Sequence, residues 1–115
     1  MTADIFIGFQ EKPEGLDRLL VQEGYILIDK QRNCAIYERQ DSVWPQIFYY
    51  PDIEDTEKWD KSGFNIVSEL NINHPHGEAV DEANRMVGRV LNTLNGIYYD
   101  MDLDDYFTKE DFSDL

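Results

Sequence analysis

From the amino end, the alternation in ADIFIGF, with Ile5, Ile7 and Phe9 on one side, predicts a buried first strand. Pro13 and Glu14 suit the first turn of a helix, in which Leu16, Leu19 and Leu20 fall at helical spacing as far as Tyr25, with Gly24 as the stop. YILIDK from Tyr25 and CAIYER from Cys34 are short and rich in β-branched and aromatic residues. The polar stretch Lys30 to Asn33 between them marks an antiparallel hairpin. VWPQIFYYP, from Val43 to Pro51, has strand composition, but Pro45 removes a ladder donor and predicts an edge or bulged strand. Asp52 to Lys61 reads as an acidic loop. FNIVSELNI then alternates, with Phe64, Ile66, Ser68, Leu70 and Ile72 on one face and Asn65, Val67, Glu69 and Asn71 on the other. Beyond Pro75 and Gly77, Glu78 to Leu94 places Val80, Ala83, Val87, Val90, Leu91 and Leu94 on one helical stripe, which Asn95 and Gly96 end. GIYYD opens a last strand.

The order βαβββ, loop, βαβ predicts an α+β fold: a mostly antiparallel sheet with two main helices, in a split βαβ, ferredoxin-like layout. A chain of 115 residues makes one domain, 1–115, with 100–115 as an acidic tail or short helix. With 42% hydrophobic and 13% aromatic residues, it can fill a core without disulfide or metal.

Charge narrows the function. Asp and Glu number 24 against 10 Lys and Arg, a net charge of −14, which argues against routine binding to a nucleic-acid backbone or an anionic membrane surface. The first residues carry no basic region, and their apolar stretch runs only from Ile5 to Phe9, so no signal peptide is expected. A lone cysteine, Cys34, fits a reducing cytoplasm. The acidity concentrates after Ile97, where Asp100, Asp102, Asp104, Asp105, Glu110, Asp111 and Asp114 face a single base, Lys109. Leu103, Tyr106, Phe107 and Phe112 are interleaved with them.

Catalytic chemistry finds little support. The chain has no phosphate-binding glycine loop and no GxSxG elbow, and Cys34, alternating with Ile36, reads as a small core residue. His74, His76 and Glu78, with Asp81 and Glu82 behind them, are donor types that zinc or iron accepts, but acids here also suit the positive end of a helix. The run from Asp100 mimics the opening of a calcium loop, yet Asp105 stands where the turn glycine belongs and Asp111 where the closing Glu belongs. The expectation is a non-enzyme with no metal and no cofactor.

Aromatic residues cluster at Trp44, Phe48, Tyr49, Tyr50 and Trp59. Most belong in a core, but Trp59, flanked by Glu57, Lys58, Asp60 and Lys61, is expected to be partly exposed as a partner anchor. The acids expected around it at an interface are Asp52, Glu54, Asp55, Asp100, Asp102, Asp104 and Asp105.

In its overall character, a small, acidic, motif-poor α+β chain, the protein resembles the immunity proteins that bacteria encode beside secreted nuclease toxins, including those of contact-dependent growth inhibition systems. The resemblance implies a cytoplasmic inhibitor that binds one cognate toxin and blocks its active site or substrate groove. Charge complementarity with a basic nuclease-like domain supplies the physical basis. The competing readings are an acidic DNA mimic, a non-catalytic accessory subunit, and a small metal-binding protein built on His74 and His76.

Overall fold

The computed structural model describes residues 2–39, 45–53, 59, 63–64, 66–74, 78–100 and 102–113. The elements are β1 (Thr2–Phe9), α1 (Leu16–Gln22), β2 (Tyr25–Lys30), β3 (Ala35–Arg39), β4 (Gln46–Tyr50), β5 (Ile66–Asn73), α2 (Glu78–Leu94), β6 (Ile97–Asp100), β7 (Asp105–Phe107) and α3 (Lys109–Ser113). All seven strands form one antiparallel sheet, in the order β2-β3-β4-β5-β1-β6-β7. The fold is α+β, as the pattern predicts. β5 and β6 both lie antiparallel to β1 from opposite sides, so β5–α2–β6 is a split βαβ unit around β1. The four-stranded ferredoxin-like plan is exceeded, because β2 to β5 run as a meander and β7 adds a further edge.

Period-two alternation decides which residues meet the helices. Ile5, Ile7 and Phe9 of β1, Tyr37 of β3, Ile47 and Tyr49 of β4, and Leu70 and Ile72 of β5 point to one face, where Leu16, Leu19 and Leu20 of α1 cover them. The buried stripe of α2 is Ala79, Ala83, Met86, Val87, Val90 and Leu91. Val80, expected on that stripe, is exposed in the first turn, although Val87 and Leu91 on the same side are buried. α1 begins at Leu16, later than Pro13 implied, and Gly24 ends it with φ 96°, a left-handed conformation that glycine adopts without strain. Buried Ser68 is satisfied by donating its hydroxyl to the Pro51 carbonyl at 2.7 Å.

Two strand expectations are corrected. β4 is internal, between β3 and β5. Pro45 precedes its first residue, so the missing N–H costs no ladder bond. The stretch after Tyr99 is more than a tail: Asp100 and Asp105 pair across a tight hairpin, and only then does the short helix α3 begin.

A charged network locks α1, α2 and β2 together at one end. Tyr25 donates its hydroxyl to Glu82 Oε1 at 2.9 Å, and Arg85 bridges Glu82 to Glu23. Arg89 reaches Glu23 at 3.3 Å, and Arg39 approaches Glu82 at 3.7 Å with its guanidinium 5.9 Å from the Tyr25 ring centre. Burial pushes Glu82 up, but hydrogen bonds from Arg85 and Tyr25 outweigh it and hold the carboxyl below its usual range.

Candidate functional site

The sheet face away from α1 and α2 carries a second core. Trp59, Val67, Ile97 and Tyr99 are buried there, with Phe6, Ile53, Phe64 and Tyr106 packed around them. The Trp59 ring meets Tyr99 edge-on at 5.7 Å and Tyr106 at 5.2 Å, and Tyr99 and Tyr106 lie 5.0 Å apart. Gly8 makes the space for this packing: a Cβ there would lie 2.6 Å from the Trp59 ring and from the Phe64 carbonyl oxygen. Trp59 is therefore not the partly exposed anchor its charged neighbours implied. It is fully buried, at 0% exposure. Sequence neighbours report the polarity of a loop, whereas the site that receives Trp59 is made by β1, β5, β6 and β7.

On this aromatic base stands the β6–β7 hairpin. Asp100 Oδ1 accepts the backbone N–H groups of Asp102 and Leu103 at 2.9 and 3.2 Å, so the first aspartate builds the turn with its own side chain. Asp104 holds a left-handed φ of 50°, and its Oδ1 accepts the Tyr99 hydroxyl at 2.6 Å. That hydrogen bond, reinforced by partial burial, pushes the Tyr99 phenol up to about 12. α3 closes the hairpin from behind, where Asp111 accepts the Thr108 N–H at 2.8 Å and Lys109 donates to Asn95 at 3.1 Å. Asp102, Leu103, Asp104 and Asp105 are all exposed at the tip, with Leu103 67% exposed among the carboxylates.

The expected interface acids separate in the fold. Asp100, Asp102, Asp104 and Asp105 converge on the hairpin. Asp52 is exposed after β4, beyond the Tyr50–Glu69 pair and three strands from β6. Strand spacing and rise place it on the order of 20 Å from the turn. Glu54, Asp55, Trp44 and His76 lie outside the described residues. His74 pairs with Glu78 at 2.9 Å across the entry to α2. Among the described residues, no three His, Cys, Asp or Glu side chains gather as a metal site.

The sheet adds acids that sequence reasoning passed over. Asp4 and Glu69 alternate with core residues on β1 and β5, so both project from the aromatic face, Asp4 on the strand beside β6 and Glu69 one strand further away. Asn71 donates its amide to Asp4, and Asn73 donates to Asn71 at 3.1 Å. Burial and then the Asp4 carboxylate raise the Glu69 pKa. The signal was present in the polar face of FNIVSELNI, but only the β1–β5 register shows that Asp4 faces it.

The raised pKa has a stability consequence. An acid that binds its proton more tightly when folded makes stability fall as pH rises through its titration. Glu69→Gln is therefore expected to raise the melting temperature at neutral pH, and the gain should vanish in acid, where native Glu69 is protonated. Thermal melts of both proteins across that range check it; an equal offset at every pH would remove the Asp4–Glu69 repulsion as the cause.

No family model matches the chain, and neither does any curated protein or solved structure. Among the described residues, no helix is long and apolar enough to cross a membrane.

Proposed function

We propose that the protein is a non-catalytic, cytoplasmic immunity protein of the polymorphic-toxin type, which neutralises a cognate basic, nuclease-like toxin domain by occupying its substrate groove. The observation that carries this reading is the hairpin. It presents four aspartates within six residues, and its turn is pinned by Asp100 and by the Tyr99–Asp104 hydrogen bond before any partner arrives. Carboxylates fixed in advance lose little freedom on binding, and in a basic groove they stand where phosphates would. Asp4 and Glu69 extend the acidic surface across the neighbouring strands. Leu103 takes over the anchoring role that sequence assigned to Trp59, since it is the exposed apolar side chain within the acidic rim.

The test is association kinetics with the toxin domain encoded beside the gene. The native protein should bind rapidly at low salt and more slowly as salt rises. Neutralising Asp102, Asp104 and Asp105 together to Asn keeps an acceptor for Tyr99 and so preserves the turn. That variant should associate about tenfold more slowly at low salt, with a flattened salt dependence and a dissociation rate changed far less. Absence of binding by the native protein would remove the reading. Equal association rates for native and neutralised proteins would remove the hairpin as its site.

A further inference from the structure

Between α1 and the β2 end of the sheet lies a groove, away from the acidic hairpin. Gly15, Asp17, Arg18 and Val21 line it at α1, and Leu27 of β2 and Tyr37 of β3 line it at the sheet. Its volume is about 290 Å³, about ten waters' worth, which is room for a single amino acid rather than a nucleotide. Val21 and Leu27 give it apolar walls and are 52 and 48% exposed. Leu27 belongs to the exposed aliphatic run of the edge strand, Ile26 to Ile28. A Cβ at Gly15 would meet nothing within 4 Å, so the groove stays open on that side.

The groove also holds a polar group at a depth where polarity is costly. Tyr37 is only 4% exposed, and among the described residues its hydroxyl makes no hydrogen bond. Tyrosine hydroxyls this deep are ordinarily hydrogen-bonded, so this one calls for a partner that enters the groove. Burial and then the Asp17 carboxylate raise the phenol, which therefore keeps its proton at neutral pH and can donate it. Asp17 and Arg18, consecutive on α1, bring one charge of each sign to the same place. Asp17 Oδ1 accepts the Arg18 backbone N–H at 3.0 Å. The Arg18 guanidinium makes no ion pair among the described residues, although acids outnumber bases 24 to 10 in the chain.

We infer that this groove binds a free amino acid with an apolar side chain. The ammonium and carboxylate of such a molecule stand on one carbon, close enough together to meet two consecutive residues. The ammonium pairs with Asp17, and the carboxylate pairs with Arg18 and accepts the Tyr37 hydroxyl. The side chain lies along Val21 and Leu27 and removes their apolar surface from water. Charge favours a molecule that carries both signs. An anion is repelled by a chain of net charge −14, and a cation, though attracted by it, meets Arg18 in the groove. A zwitterion has no net charge, so the overall field neither draws nor repels it. Because the groove is open, the affinity is modest, with a Kd of about 1 mM. Five strand spacings, about 24 Å, separate β3 from β7, so the groove and the acidic hairpin can be occupied independently.

The experiment is a nuclear magnetic resonance titration of the full chain with leucine, to about thirty times the expected Kd. The amide signals of Arg18, Val21, Leu27 and Tyr37 should shift and saturate, while that of Leu103 in the hairpin stays in place. Leucinamide, which lacks the carboxylate, and N-acetyl-leucine, which lacks the ammonium, should each bind at least about tenfold more weakly. Tyr37→Phe removes a hydroxyl that the fold does not use, so the variant should melt no lower than the native protein yet bind leucine about tenfold more weakly. Arg18→Gln, on the exposed side of α1, should erase the preference for leucine over leucinamide, because the carboxylate then has lost its partner. No saturable shift with leucine, or equal binding of either single-charge analogue, would overturn the inference. So would a Tyr37→Phe protein that binds leucine as the native one does, or one that melts well below it, since the hydroxyl would then serve the fold. No toxin is present in these measurements, so their failure leaves the proposed function untouched.

Discussion

Trp59→Ala is expected to lower the unfolding free energy by about 3 to 5 kcal/mol, and the melting temperature by roughly 10 to 20 °C, because it empties the centre of the second core. Few changes in a domain of this size should cost more. The side chain is completely buried and packs edge-on against both Tyr99 and Tyr106, while Gly8 lies beneath its ring. Tyr99 in turn holds Asp104, so the loss extends to the acidic hairpin. If the hairpin binds as proposed, the truncated protein should also bind the toxin domain less well even where it remains folded. Gly8→Ala approaches the same cluster from the sheet side: its new methyl would have to displace the Trp59 ring or the Phe64 backbone. Thermal melts of both variants, with near-ultraviolet circular dichroism to follow the aromatic packing, decide the matter. A Trp59→Ala protein that melts with the native one would mean that the tryptophan is not a core residue.

Arg85→Ala is expected to cost about 2 kcal/mol near neutral pH. The Glu82 side chain is 11% exposed and relies on Arg85, with support from Tyr25 and Arg39. Its carboxyl titrates below the usual range, so its ionised form stabilises the fold above the ordinary carboxylate pKa. That contribution is lost as pH falls through the depressed folded value. Without Arg85 the burial of Glu82 is less well opposed, its pKa rises, and acid unfolding should begin at a higher pH. Melts from neutral pH into acid should show the deficit of Arg85→Ala shrinking as the native protein also loses the ionised carboxylate. A pH-independent deficit would assign the effect to lost packing of the Arg85 stem alone.

Much of the architecture was legible because it is local. The alternation of Ile5, Ile7 and Phe9, the stripe through Ala83, Val87, Val90 and Leu91, and the stop at Gly24 each report a period or a backbone preference carried within a few residues. The acidic concentration after Ile97 was equally plain, as was the separation of two helices by a run of strands. Pro45 misled because its cost depends on whether its position falls inside the ladder, and one residue of offset placed it outside. Val80 misled because periodicity does not say how far along a helix its contact with the sheet extends: Val80 is exposed in the first turn, although Val87 and Leu91 on the same side are buried.

What the sequence determined by itself was the class of fold and a net charge of −14. These follow from composition and short-range periodicity, which need no partner segment. The placement of Trp59 was decided only by tertiary structure, since its burial depends on Gly8, Val67, Ile97 and Tyr99 from three different strands. So was the division of the acids into a built hairpin, a distant Asp52 and the neighbouring pair Asp4 and Glu69. Strand register and order bring together residues that are dozens of positions apart, and a one-residue slip would send every side chain to the other face. That long-range pairing is what turns an acidic, aromatic composition into a surface with one charged edge and one apolar edge.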